Sequence, residues 1–243
     1  MSSEPVALDR RQRRRQETIE EVLDIAAEIM AEQGVAGLSI GEVARRMGIR
    51  PPSLYVYFPS KNALYDALFA RGARMVMDHV RADEEAHGDV ARPLDEVLLN
   101  AAQTFVRWSV EHPAYTQLLF WRPVPGFTPS EEAYAPAVEL VEFSQARFAE
   151  MQHRGLLRAD VDLDDVQRDW TVLISGVISQ QMSNAPDEPV GSGRFTAALP
   201  GLVEMFVRHY GAKPSVRATS KRRTTRPKPS AARPKENRRD HHR

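Results

Sequence analysis

The chain contains no cysteine in its 243 residues. Disulfides, thiolate metal centres and cysteine nucleophiles are therefore excluded, and the composition fits a reducing compartment. No run of about 18 apolar residues occurs, so no membrane partner is expected. The polar, arginine-rich start lacks the apolar stretch of a secretory signal, which points to a cytoplasmic protein. No Gly-rich phosphate loop, Gly-x-Ser-x-Gly elbow or His-Glu-x-x-His helix is present. No catalytic residue, metal ligand or cofactor is accordingly expected, and the chain is not read as an enzyme. Asp83 and His87 are four apart and could share a metal, but beside Glu84 and Glu85 they read better as a solvated face. His112, ahead of Pro113, reads as a helix-end residue. No useful length alternates with period two, so no sheet is expected.

What is present is a 42 % hydrophobic composition, enough to fill a core, and a charge balance of zero that conceals segregation. Residues 1–15 carry a net +3, residues 213–243 a net +10, and the body between them −13. An acidic body with basic ends suits an anionic partner met at the ends, nucleic acid first among them, or tails that only aid solubility.

The helical period recurs along the body. Ile19, Val22, Leu23, Ala26, Ile29 and Met30 predict a first helix from about Gln16 to Gln33, closed by Gly34. Ser39 and Glu42 have capping-box spacing, in which the hydroxyl accepts from one amide while the carboxylate reaches back to another. They open a short helix, Ile40 to Met47. Gly48 permits a sharp turn, and Ile49 pins it. Pro51 and Pro52 suit the first turn of a third helix running to about Phe58, where Pro59 stops it. Ser60 caps a long fourth helix that ends near His87. Further helices are expected over 94–112, 115–121, 130–153, 163–183 and 194–210. After Gly211 the composition turns to Lys, Arg, Pro, Ser and Thr and cannot bury enough surface to offset ordering.

A capped helix, a glycine turn and a second short helix make a helix-turn-helix, whose second helix enters the major groove. Arg50, Ser53, Tyr55, Tyr57 and Lys61 cluster hydrogen-bond donors along it, while Leu54 and Phe58, four apart, face the opposite way. The stretch Ile40-Gly41-Glu42-Val43-Ala44-Arg45-Arg46-Met47-Gly48-Ile49-Arg50-Pro51-Pro52-Ser53-Leu54-Tyr55-Val56-Tyr57-Phe58-Pro59-Ser60-Lys61 strongly resembles the TetR family of bacterial regulators. The close resemblance covers about residues 16–70.

That resemblance implies a regulator that binds double-stranded DNA. Pro51, Pro52 and Ser53 would approach base edges or nearby phosphates, and Tyr55, Tyr57 and Lys61 would grip the backbone. Gly41 stands where some members carry a guanine-reading arginine, which leaves Ile40, Arg45 or DNA shape to compensate, and Ser39 and Arg50 are counted with the DNA-contacting residues. Related proteins can also bring an arm such as Arg10–Arg15 to the minor groove or backbone; a frayed, solvated terminus is the other reading.

Aromatics gather beyond residue 100. Phe105, Trp108, Tyr115, Phe120, Trp121, Phe127, Tyr134, Phe143, Phe148 and Trp170 are each individually suited to a core, and collectively to an apolar pocket for a small-molecule effector. Leu173, Val177, Leu202, Phe206 and Tyr210 lie on stripes wider than one neighbour needs, which fits a homodimer interface or packing within one chain. The expected architecture is all-α, about nine helices. A basic disordered arm (1–15) precedes a helix-turn-helix domain (16–62). A long helix joins this to a ligand-binding and dimerisation domain (63–211), and a basic disordered tail (212–243) follows. The expected function is a transcription regulator, a repressor associated with the nucleoid that leaves a palindromic operator when an apolar effector binds. The alternative is an architectural, effector-independent DNA binder that relies on its basic tails.

Overall fold

The computed structural model describes residues 10–87 and 92–212, and those residues form helices joined by turns and loops. The expectations for residues 1–9 and for the basic tail from Lys213 onward lie outside the described residues. Among the described residues there are nine α-helices: α1 Arg10–Gln33, α2 Ile40–Arg46, α3 Pro51–Leu54, α4 Lys61–His87, α5 Leu94–Glu111, α6 Pro113–Phe120, α7 Glu131–His153, α8 Leu163–Asn184 and α9 Leu199–Tyr210. No extended strand forms among the described residues. A single antiparallel bridge joins Leu157 to Gly211, with Arg158 N–H donating to the Tyr210 carbonyl at 2.9 Å.

Three sequence-based expectations are corrected. The first helix begins at Arg10 rather than near Gln16, so Arg10–Arg15 is helix and not a loose arm. Arginine and glutamine are good helix formers, and the added turns are tied on by Thr18 Oγ1 donating to the Arg14 carbonyl at 3.0 Å. The third helix ends at Leu54, not Phe58. The amides of both Tyr57 and Phe58 donate to the Leu54 carbonyl at 2.9 Å, which bends residues 55–57 into a turn ahead of Pro59. The last helix begins at Leu199 after a short 3-10 turn over Thr196–Ala198, with Pro200 in its first turn.

Two hydrophobic cores result. The first joins α1, α2 and α3 to the start of α4 and to α6. Val22, Ile29, Val43, Leu54, Leu68 and Tyr115 are among its buried members. The second gathers α5, α7, α8 and α9 around residues such as Leu98, Phe148, Ile178 and Phe206. Helix α4 has 27 residues, about 40 Å at the helical rise, and continues from the first core to the cavity beside the second. Position 62 is therefore not a packing boundary: Leu64, Tyr65, Leu68 and Trp108 complete the core beneath the helix-turn-helix.

Candidate nucleic-acid interface and ligand cavity

The helix-turn-helix is built by short-range chemistry. Gly48 has φ +68°, and the Ile49 amide reaches back to the Ala44 carbonyl at 3.0 Å, which reverses the chain between α2 and α3. Leu54 and Phe58 are buried at 1 % and 6 % exposure and hold α3 against the first core. Their burial leaves Arg50, Pro51, Pro52, Ser53 and Tyr55 on the outer face, all exposed. Ser60 caps α4 by accepting from the Ala63 amide at 3.1 Å.

The proposed capping box at Ser39 does not form. Ser39 holds the extended N-cap conformation, but its hydroxyl accepts no helix amide. Glu42 instead takes Arg45 Nε at 2.8 Å, Arg45 Nη2 at 2.7 Å and Arg46 Nε at 3.0 Å. Charge-assisted bonds to guanidinium outweigh one bond to a neutral amide, so the carboxylate turns outward. Those bonds hold the Glu42 carboxyl down to about 2. Arg46 also donates to Glu32 of α1 at 3.0 Å and 2.5 Å, and Arg71 of α4 is bonded to Asp24 of α1. These two arginines fasten α1 to its neighbours across long sequence separations. No local spacing announced them.

Other expected contact residues are distributed less simply. Ser39, Arg45 and Lys61 are exposed, but Ile40 is buried in the first core and is removed from the base-reading set. An apolar residue at the first turn of so short a helix is needed to dock it. Tyr57 is half-buried; its ring lies 5.4 Å from the Arg15 guanidinium. Lys61 Nζ donates to the Ala36 carbonyl at 3.2 Å, which fixes the ammonium beside the end of α1. Arg10, Arg11, Arg14 and Arg15 line a cleft whose other wall is Val56 and Tyr57. At the helical period these four arginines share one face of α1, so the basic segment presents its charge on the same side as the turn after α3.

The second domain encloses a cavity of about 220 Å³ between α4, α5, α7 and α8, closed at one side by the end of α6. Phe105, Phe120, Trp121, Phe143 and Trp170 line it, as the sequence suggested. Trp108, Tyr115 and Phe127 do not. Trp108 is buried in the first core and stacks on His112 at 4.9 Å between ring centroids, while Phe127 lies 5.3 Å from Tyr65. Tyr115 packs against Gly72, where an added Cβ would come within 2.6 Å of the ring. The helical period on α5 sends Phe105 and Trp108 to different neighbours, and only the packed structure shows which. Phe148, another of the gathered aromatics, also lines it, whereas Met151, Glu84 and Arg147 were missed. Met151 continues the Phe143 stripe along α7 at i+8, a signal present in the sequence.

The expected interface residues are likewise divided. Val177, Phe206 and Tyr210 are buried in the chain's own second core, with Phe206 4.8 Å from Tyr210 and 5.1 Å from Trp170 between centroids. They are not available to a second copy, because the most apolar face of each helix turned inward. Leu173 and Leu202 are half-buried. The outward apolar side chains are Val172 and Met205, 66 % and 65 % exposed. Among the described residues no group of three His, Asp or Glu is placed to hold a metal. No described helix is long and apolar enough to cross a membrane.

Residues 22–68 match the family model for bacterial regulatory proteins of the tetR family. The chain is 32 % identical over 94 residues to the Bacillus subtilis uncharacterized HTH-type transcriptional regulator YobS, covering 39 % of this chain and 47 % of that protein. It is 43 % identical over 49 residues to the Escherichia coli tetracycline repressor protein class D, covering 20 % and 22 %. In both cases the chain spans less than half of the relative's length. A bacterial regulatory protein in the tetR family from Rhodococcus RHA1 shares the fold, with a TM-score of 0.61 and 16 % identity over 81 % of this chain and 98 % of that one. These relatives are regulators rather than enzymes. The two buried helix anchors, the Gly48 turn and the matched segment agree: residues 22–68 form a helix-turn-helix segment of the kind found in bacterial regulatory proteins of the tetR family.

Proposed function

We propose that the chain is a sequence-specific DNA-binding transcription regulator that acts in the cytoplasm, at the nucleoid. It works as a homodimeric repressor, with each helix-turn-helix entering one major groove of a palindromic operator. The observation that carries this reading is the outer face of α3, where Arg50, Pro51, Pro52 and Ser53 stand exposed while Leu54 and Phe58 lock the helix behind them. The likeness to a tetracycline repressor over 49 residues supports repression. Arg10, Arg11, Arg14 and Arg15 add a phosphate-binding face beside α3. Val172 and Met205, flanked by Gly176 and Gly201 with open space at their Cβ positions, form the apolar face for a second copy.

A small ligand in the cavity would act through α4 and α6, because both elements touch the cavity and the first core. Differential binding to two arrangements of those helices couples the sites. The reading is tested by selecting bound sequences from a random duplex pool. A palindromic consensus that Ser53→Ala alters, and that duplex competitor of random sequence does not displace, is the expected result. Enrichment of no sequence at all would favour an architectural DNA binder and sink the proposal.

A further inference from the structure

The cavity carries an electrostatic imbalance that sorts its ligands. Its charged lining consists of Asp83, Glu84 and Arg147. Arg147 pairs with Glu84 at 2.5 Å, leaving one carboxylate in excess. Asp83 accepts from Asn100 Nδ2 at 2.7 Å and meets His87 Nδ1 at 3.1 Å, and neither contact introduces a fixed positive charge. The neutral polar wall is already engaged with itself. Ser144 Oγ donates to Gln167 Oε1 at 2.8 Å, and Gln167 Nε2 donates to Thr171 Oγ1 at 3.2 Å. Burial pushes the Glu84 carboxyl upward in spite of Arg147, so its negative charge is under-compensated where it stands.

Three head-group charges have different consequences here. An anion would have to draw Arg147 away from Glu84 and strand a partly buried carboxylate, which is costly. A neutral molecule would gain only from apolar burial. A cation would gain from the carboxylate in excess and from the aromatic lining of Phe105, Phe120, Trp121, Phe143 and Trp170. The volume, about 220 Å³, lies under the roughly 300–1,000 Å³ of drug-sized pockets, so the body must be compact.

Resting on the reading of this cavity as the effector site, the geometry points to an organic monocation: a compact apolar or aromatic body bearing one ammonium-type charge beside Asp83 and Glu84. The test uses benzyltrimethylammonium, benzyl alcohol and phenylacetate, which share one compact benzyl body and differ in head charge. Binding to the full chain is followed by calorimetry and by tryptophan emission, near pH 8. The ammonium should bind about tenfold tighter than the alcohol, with phenylacetate the weakest. Asp83→Asn, which preserves shape, should shrink that advantage to about threefold while the affinity for the alcohol stays unchanged. Glu84→Gln is the second variant and should act in the same direction. Phenylacetate binding tightest, or a head-group preference that neither variant alters, would overturn the cationic assignment and leave the cavity reading standing. Failure of all three to bind would overturn both.

Discussion

The head of the molecule and the cavity-bearing half solve the same packing problem to different degrees of completion. In the head, short helices are held by fully buried anchors and by arginines that fasten α1 to α2 and α4. In the second half, α4, α5, α7 and α8 stop short of one another and leave a cavity. The difference teaches where rigidity is needed. On the proposed function, a base-reading surface has to hold its register to a fraction of a side chain, whereas a sensor must retain space that a ligand can fill.

The largest expected effect breaks the comparison at its most tightly packed point. Leu54→Ala removes a side chain that is 1 % exposed and should destabilise the head by about 2–5 kcal/mol. Phe143→Ala deletes a larger side chain, but one that is half-buried and already faces empty volume. Its cost should be only about 1 kcal/mol, because the ring has few partner atoms on the cavity side. Thermal unfolding of the two variants checks the order. A greater loss at Phe143 would mean that the cavity wall is packed as firmly as the head.

A smaller effect probes the junction between the two regions. Gly72 lies in α4, and a Cβ there would meet Tyr115 Cδ1 of α6 at 2.6 Å. Gly72→Ala gains some helix propensity but forces a buried ring to move, for a net loss of about 1–2 kcal/mol. Tyr115→Leu in the same chain should recover part of that loss, which a double-mutant cycle measures. Additive losses would show that the two positions do not meet.

Much of the head was legible in the sequence because its signals are local. The Leu54/Phe58 spacing and the Gly48 turn depend on residues only a few positions apart, and both stand where they were expected. The capping box failed because Glu42 had competitors, Arg45 and Arg46, whose bonds local spacing did not weigh. The cavity was half legible. Hydrophobic periodicity identifies an apolar face without naming what it faces, which is why Trp108, Tyr115 and Phe127 went to the first core. The same limit reversed α8 and α9: the conspicuous stripe through Val177 and Phe206 packs inward. The quieter face, with Val172, Ser175, Gly176 and Met205, turns out.

The helical Arg10–Arg15 segment sharpens the comparison without disturbing either core. Replacing Arg10, Arg11, Arg14 and Arg15 with Gln should leave the melting temperature nearly unchanged, since these side chains are exposed. Each arginine that meets a phosphate contributes about 0.9 to the log–log salt slope of binding, so the slope should fall by roughly 3–4 per chain. Fluorescence anisotropy on a duplex across a salt series measures it. An unchanged slope would remove α1 from the DNA interface.

The smallest effect concerns the exposed ion pairs of the head and appears only through pH. Arg45 and Arg46 hold the Glu42 carboxyl at about 2, below its ordinary 4.5. A depressed carboxyl stabilises the fold above its unfolded-state value and loses that contribution as pH falls toward the folded one. The clamp should therefore act fully above about pH 4.5 and fade between about 4.5 and 2. Glu42→Gln removes the titration and most of the attraction to both arginines. The melting-temperature gap between the parent chain and this variant should be small at neutral pH, because the group is only half-buried and is screened by solvent, and should close on acidification. A gap that persists near pH 2 would assign the role of Glu42 to shape rather than charge.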